Sequence, residues 1–491
     1  MTVRKLIILA AAGCTIGAIA ARSAEDKQAF EQIERGRYLA VVGDCIGCHT
    51  VPGGKPFAGG AALETPFGTL LGPNITPDVA TGLGSWSEED FWRTLHEGIG
   101  KNGVRLYPAM PYPAYTKVTR EDASAIWAYL RTLDPVRNEI RPNQLEFPFN
   151  VRRPATSTWD LINFRPSAFR PDPTKSDTWN RGAYLVEGLG HCGTCHTPKN
   201  ITGGDQDRQA LQGALLQDWY APDVTPDLRT GIGNWSTEEI VRYLKSGANS
   251  FDIASGPMAE VVENSTSHMT DADLVAIATY LKENVPRNAA AVTALSAQDR
   301  RMVAGRAIYE DRCAPCHDSV GAGVSTLFPR LASAPLVQAG DPTSLIRVVL
   351  IGSRAGATAA APTAPAMPAF GWNLIRPGDC RCADLRPQCV GQRGAAGSTR
   401  RCYQAAGSAT AQRGGRRVSA RRSSSYQPSL VLLSNEYLPG PVRYSSNRPA
   451  IMLTFLKKVD FSFCLLHSGH RPKMMTNNHC TEGVHHGGVV A

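Results

Sequence analysis

Three short stretches of this 491-residue chain share the pattern Cys-x-x-Cys-His. They lie at residues 45–49, 192–196 and 313–317. Two thiols three positions apart on one helical turn can each add to a vinyl group of the same porphyrin, and the histidine that follows can bind the iron. Chance would give one such match in about one of a hundred chains of this composition. Three matches therefore indicate covalent haem of the c type.

The pattern assigns a role to each of its residues. The predicted attachment residues are Cys45, Cys48, Cys192, Cys195, Cys313 and Cys316, and the predicted axial histidines are His49, His196 and His317. Two alternatives remain. A zinc site would need paired Cys-x-x-Cys knuckles, and a thioredoxin-like redox pair makes no use of the adjacent histidine.

A methionine can close the opposite face of each iron, and His/Met ligation raises the reduction potential. Met110 and Met367 each lie in a loop and are followed by proline, which fixes the backbone around the thioether. In the second unit, Met258 and Met269 compete. We favour Met258, because Met269 directly precedes the predicted start of the next helix at Thr270.

Internal repetition supplies the elements that position these ligands. The first two attachment motifs follow an Arg-Gly-x-Tyr-Leu segment that begins at Arg35 and at Arg181, and Gly305 opens a weaker counterpart before the third. An Asn/Asp-x-Thr-Pro-Asp block then leads, after twelve residues in both units, to Trp86 and Trp235. We expect these tryptophans to pack within their own units.

Two helices are predicted in each of the first two units. The shorter pair covers residues 91–95 and 240–244, each preceded by a capping serine. The closing pair covers residues 119–130 and 270–281, each with a capping threonine and an apolar face at helical spacing. The predicted fold class is therefore mainly α, with three tandem class-I cytochrome c-like haem domains.

The repeats set the predicted domain boundaries. Residues 1–24 form a signal peptide, residues 25–134 the first domain, and residues 178–285 the second. Residues 298–374 form an incomplete third domain, and residues 135–177 and 286–297 are linkers. Below, the three domain ranges are called the first, second and third units.

Residues 1–24 are typical of a secretory leader, with Arg4 and Lys5 before an apolar run that ends in small residues. Export to the periplasm is also what haem attachment to thiols requires. No later apolar run has the length of a membrane span.

The net charge of the whole chain is +9, but the excess of basic residues lies after residue 375. Residues 25–375 carry a net charge of −6. This acidic balance excludes a nucleic-acid partner for the exported part of the chain.

The three motifs, the repeated block and residues 106–112 together resemble the triheme cytochrome c subunits of membrane-bound alcohol, aldehyde, gluconate, sorbitol and fructose dehydrogenases. The resemblance covers about residues 30–374. It implies a subunit that is not an enzyme on its own. A catalytic partner with pyrroloquinoline quinone, flavin or molybdopterin oxidises the substrate, and this subunit relays the electrons through three covalently bound haems c to ubiquinone or a terminal oxidase.

The resemblance also implies a peripheral place on the periplasmic side of the bacterial inner membrane. Matched motif by motif, the implied axial ligands are His49, His196 and His317 on one side of the irons and Met110, Met258 and Met367 on the other. A multihaem peroxidase-like enzyme and a stand-alone periplasmic electron shuttle are the alternatives. A peroxidase needs an iron with an open face, and three methionines for three irons argue against that.

Residues 375–491 depart from the repeat. The third unit should close with a helix after residue 374, but an arginine-, glycine- and serine-rich run follows. We chose codons that encode residues 375–397 and shifted the reading frame by one nucleotide. The shifted frame can encode a capped helix that ends in an aromatic residue. We therefore predict a frameshifted or unstructured tail. A genuine basic appendage is the alternative, and resequencing the gene distinguishes them.

Overall fold

The computed structural model describes residues 26–287, 289–290 and 295–374. The predicted signal peptide and the predicted frameshifted tail lie outside these residues. Within them, helices dominate and strands are short. No helix in this part of the chain is both long enough and apolar enough to cross a membrane.

The first unit alternates helices with two small antiparallel ribbons. Its elements are α1 (26–42), α2 (Cys45–His49), β1 (Ala62–Thr65), β2 (Gly68–Leu71), α3 (Glu88–Glu97), β3 (Ile99–Gly100), β4 (Val104–Arg105), α4 (Tyr112–Tyr115) and α5 (Arg120–Leu130). Strand β1 pairs with β2, with Ala62 opposite Leu71, and β3 pairs with β4. The second unit repeats much of this order, with one ribbon in place of two.

The elements of the second unit are α7 (Asp177–Tyr184), a π-helical turn (Leu185–Leu189), α8 (Cys192–His196), β6 (Ala214–Leu216), β7 (Trp219–Ala221), α9 (Thr237–Ser246), α10 (Pro257–Asn264) and α11 (Asp271–Lys282). Between the two units lie β5 (Gln144–Leu145) and α6 (Arg152–Asn163). The third unit holds α12 (Arg300–Ile308), a π-helical turn (Tyr309–Cys313), α13 (Ala314–His317), α14 (Pro335–Gln338), α15 (Thr343–Ile351), β8 (Ser353–Arg354), β9 (Ala366–Met367) and α16 (Gly371–Leu374).

The predicted helices are confirmed, and their caps explain where they begin. The Ser87 hydroxyl accepts from the backbone N–H of Asp90, whose carboxylate accepts from Ser87 in return, so α3 begins with a complete capping box. Helices α5 and α11 begin directly after Thr119 and Thr270, as predicted. Helices α3 and α9 begin three residues earlier than the apolar pattern predicts, because their first turns are acidic.

The stretch predicted as a linker, residues 135–177, carries a strand and a helix. Strand β5 extends the β1–β2 sheet by pairing with β2. Helix α6 supplies Asp160, which accepts from Arg105 at 2.7 Å and from the Tyr112 hydroxyl at 2.6 Å. Much of this stretch is therefore built onto the first unit.

The first two units share one hydrophobic core, whereas the third has a separate small one. The shared core includes Leu39 and Leu130 of the first unit and Leu185 and Leu274 of the second. The third unit contacts the second at several points. At one of them the Ser344 hydroxyl accepts from the backbone N–H of Tyr220 at 2.7 Å and donates to its carbonyl at 3.1 Å. Among the described residues, the first two units are therefore closely packed, and the third contacts the second through hydrogen bonds and through arginine side chains that lie over Phe251 and Trp219.

Candidate haem sites

Each attachment motif lies on a short helix. Helices α2 and α8 contain the whole of the first two motifs, while the third motif begins at the end of a π-helical turn and finishes with α13. None of the six predicted attachment cysteines forms a disulfide with another described residue. The spacing required for two thioether bonds on one helical turn is therefore present in all three units.

The three motif histidines have the same hydrogen-bond partner. In each unit, ring Nδ1 donates to a proline carbonyl, at 2.7 Å from His49 to Pro73, 2.6 Å from His196 to Pro222, and 2.9 Å from His317 to Pro329. Because a carbonyl oxygen can only accept, Nδ1 carries the proton and Nε2 keeps a free lone pair. Such a partner fixes the tautomer and the ring orientation of a histidine that binds a metal.

The sequence did not identify these proline carbonyls as partners. The available signal was a proline directly before the repeated block, at Pro73 and Pro222. The block itself anchors the proline. Asn74 is buried, accepts from the backbone N–H of Thr76 at 2.9 Å and donates to the Val136 carbonyl at 2.7 Å. The repeat thus holds the loop that orients the histidine.

The protonation state of the motif histidines suits iron binding. Burial lowers the pKa of His49 and of His196, so both stay neutral, which is the form that binds iron. Burial also raises the pKa of the Cys45 and Cys192 thiols to about 12.

A cavity of about 4640 Å³ extends from the first unit into the second and reaches the third. Both predicted axial ligands of the first unit, His49 and Met110, line it, together with Cys195 of the second unit and Arg347 of the third. A porphyrin held between two axial ligands needs such an arrangement. The residues of the first site therefore fit a haem.

The two methionines that compete in the second unit have different environments. Met258 is half-buried at the start of α10, after Gly256 and Pro257. Met269 is only 2% exposed and belongs to the shared hydrophobic core. Met367 of the third unit is half-buried on β9, opposite Ser353. The assignments of Met110, Met258 and Met367 as axial ligands stay predictions.

Substitution by leucine distinguishes the two methionines of the second unit. We expect Met258→Leu to remove one sulphur–iron charge-transfer band and to lower one reduction potential, because the iron loses its thioether. Met269→Leu keeps the side-chain volume, so we expect less than about 1.5 kcal/mol of destabilisation and no spectral change. Absorption spectra and redox titration of both variants measure this, and the reverse result would assign Met269 as the ligand.

Asp227 stabilises the loop behind His196, and its effect should depend on pH. Burial alone would raise its pKa, but backbone N–H groups of Thr230, Ala289 and Arg229 donate to the carboxylate and lower the pKa to about 2. Since the folded pKa lies below the ordinary value of 3.8, the stabilisation is present above about pH 4 and is lost as the pH falls through about 2. We expect Asp227→Asn to lower the free energy of unfolding by about 2 kcal/mol at pH 7.

Chemical denaturation of wild type and Asp227→Asn between pH 7 and pH 2 checks this. The matched control is Asp78→Asn, at the same place in the first unit, where the carboxylate accepts from Thr81 and Ala80 but is more exposed. We expect a smaller loss there. A difference between Asp227→Asn and wild type that does not shrink towards pH 2 would contradict the role of the carboxylate charge.

Comparison with known proteins agrees with this site. A family model described as cytochrome c matches residues 33–134 and 180–284. The chain is 40% identical over 382 residues to the gluconate 2-dehydrogenase cytochrome c subunit of Pantoea cypripedii, covering 73% of this chain and 86% of the relative. It is 37% identical over 392 residues to the cytochrome c subunit of the quinone alcohol dehydrogenase of Gluconobacter oxydans (strain 621H), covering 72% and 81%.

A third relative is a diheme c-type cytochrome of Cereibacter sphaeroides, 38% identical over 265 residues, which are 51% of this chain and 85% of the relative. The family match falls on the first two units, where the shared core and two of the histidine–proline bonds lie. Cytochrome c domains imply covalently bound haem, iron and electron transport. This chain belongs to the family of cytochrome c subunits of dehydrogenase complexes.

Proposed function

We propose that this chain is the electron-transfer subunit of a dehydrogenase complex and relays electrons from a catalytic subunit through three haems c to ubiquinone or a terminal oxidase. The observation that carries the proposal is the histidine–proline hydrogen bond, which recurs with nearly the same length in all three units. The third bond, from His317 to Pro329, supports a third haem site beyond the two units that the family match covers.

The protein's own residues bind and orient the cofactor. When bound, haem c supplies one-electron redox chemistry at iron. The six cysteines anchor the porphyrins, and the prolines hold each imidazole with Nε2 free. Met110, Met258 and Met367 would supply thioether ligands, and iron held by histidine and methionine favours electron transfer over reaction at iron. We assign no catalytic residue to this chain, so substrate oxidation belongs to a partner subunit.

The partner is a dehydrogenase subunit with pyrroloquinoline quinone, flavin or molybdopterin, and the complex lies peripherally on the periplasmic side of the inner membrane. The names of the relatives support a dehydrogenase partner, since they are subunits of gluconate and alcohol dehydrogenases. The predicted leader at residues 1–24 supports export.

Affinity purification of the full chain from the membranes of its own host tests the proposal. We expect a flavin, quinone or molybdenum subunit to co-purify, and we expect the substrate of that subunit to reduce the haems. Quinone should then reoxidise them. Peroxide turnover by the isolated chain would contradict the proposal in favour of a peroxidase, and recovery of the chain alone from the soluble periplasm would favour a shuttle.

A further inference from the structure

The Arg-Gly-x-Tyr repeat makes contacts that the haem sites do not explain. Each arginine binds an aspartate on the closing helix of its own unit. Arg35 donates from Nε to Asp122 at 2.8 Å, and Arg181 donates to both carboxylate oxygens of Asp273 at 2.8 Å. These ion pairs fasten the first helix of each unit to its last.

The tyrosines of the repeat cross between the two units. The Tyr38 hydroxyl of the first unit donates to Asp273 of the second at 2.7 Å, and the Tyr184 hydroxyl of the second donates to Asp122 of the first at 2.6 Å. The same hydroxyls accept from the capping threonines, since the backbone N–H of Thr270 lies 3.2 Å from Tyr38 and that of Thr119 lies 3.2 Å from Tyr184. The exchange is reciprocal, as in an interface with two-fold symmetry.

The exchanged contacts are buried and charged, so their geometry is specific. The side chain of Asp122 is 2% exposed and that of Asp273 is 11% exposed. Burial alone would raise the pKa of Asp273, but hydrogen bonds from Arg181 and Tyr38 hold it below its ordinary value. Hydrogen bonds to an ionised carboxylate are about twice as strong as neutral ones, and each carboxylate needs both its arginine and the tyrosine of the other unit.

The crossed tyrosines lie on the helices that lead into the first two attachment motifs. Tyr38 is on α1, which ends just before Gly43, and Tyr184 ends α7. On the C-terminal side of these tyrosines, the residues just before the first and second attachment motifs lie next to each other. The Gly43 carbonyl accepts from the Tyr115 hydroxyl at 3.1 Å, and Nε2 of His191, the residue before the second motif, lies 3.4 Å from the same carbonyl.

We propose that Tyr38 and Tyr184 are positioning residues that fix the orientation of the first two haem-attachment sites relative to each other, so that the two units act as one two-haem body. The inference rests on the proposed function, because it requires haem in both units. The third unit is outside this exchange. Its Arg and Tyr positions around Gly305 hold Ala304 and Ala307.

The third unit also supplies a matched control. The hydroxyl of Tyr309, which precedes the third motif, donates to the Asp318 carbonyl of its own unit at 2.7 Å. Tyr309→Phe therefore removes one hydroxyl hydrogen bond near an attachment motif without touching the contact between the first two units. Tyr38→Phe, Tyr184→Phe and the double variant remove the exchanged bonds.

Circular dichroism in the Soret region of the full haem-loaded chain tests the inference. Two porphyrins held close in a fixed orientation give a paired positive and negative signal. We expect the double variant to lose most of this signal with its haem content unchanged, each single variant to lose a similar part, and Tyr309→Phe to keep it. A double variant that matches Tyr309→Phe would overturn the inference.

Further readouts keep the test decisive. If the double variant yields no haem-loaded protein, the two single variants provide the test. Unequal losses of the paired Soret signal, or no loss in either variant, would overturn the proposed reciprocal role of the two tyrosines. Haem content, measured on the same wild-type sample, separates the two proposals. Haem missing from the first or second unit would contradict the proposed function, whereas full haem content with an unaltered signal in the double variant would contradict only the positioning role.

Discussion

The substitution His196→Gly is expected to remove one low-spin haem signal from the chain and to reduce electron transfer from the partner dehydrogenase to quinone to the background rate. His196 is the only motif histidine of the second unit, and its ring is oriented by the Pro222 carbonyl with Nε2 free. Without this imidazole, a haem attached to Cys192 and Cys195 would lack its histidine ligand. If the haems of the proposed relay work in series, loss of any one of them interrupts the path.

Spectroscopy of the reduced and oxidised protein, with quinone reduction by the whole complex, measures both effects. The control is His268→Gly, because His268 is an exposed histidine of the same unit whose Nε2 bonds to the Glu263 carbonyl. We expect the control to keep every haem signal and the full rate. An unchanged number of low-spin haems in His196→Gly would contradict the assignment of the axial ligand.

The second large effect is expected from Gly182→Ala, which should lower the free energy of unfolding by about 3 kcal/mol. A Cβ atom at Gly182 would lie 2.0 Å from the carbonyl oxygen of Ala276 on α11. The first unit has the same close crossing, with 1.8 Å between a Cβ at Gly36 and the carbonyl oxygen of Ala125. Helix propensity alone would favour alanine by about 1 kcal/mol, but the clash is with backbone atoms and outweighs that gain.

Chemical denaturation, with haem content measured alongside, checks this prediction. Gly340→Ala is the control, because a Cβ atom there meets no other atom within 4 Å. We expect the control to change the free energy of unfolding by less than about 0.5 kcal/mol. A stability of Gly182→Ala equal to that of Gly340→Ala would show that the helices can separate without cost.

The local parts of this structure could be predicted from the sequence. The attachment motifs, the closing helices and their threonine caps all depend on residues within a few positions of one another, so their spacing carries the information. The third unit departs from the pattern after residue 374, and that departure is also visible in the sequence alone.

The contacts between distant residues could not be predicted. Pro222 is 26 residues from His196, and Tyr38 is 235 residues from Asp273. No periodicity or local motif identifies which distant residues contact each other. The Arg-Gly-x-Tyr repeat showed that the first two units share a structural feature, but it did not identify the aspartates that the arginine and tyrosine side chains bind. The sequence pattern also could not decide between Met258 and Met269. Met258 lies in the first turn of α10 and Met269 directly precedes the cap of α11, and the local sequence does not say which side chain faces the haem.

The proposed electron relay depends above all on the number of haems that the chain binds covalently. The direct measurement is the intact mass of the denatured chain, exported together with haem-maturation machinery, combined with a haem stain and an iron assay on the same sample. We expect a mass increase of three haem groups and three irons per chain. An increase of two haems or fewer would contradict it.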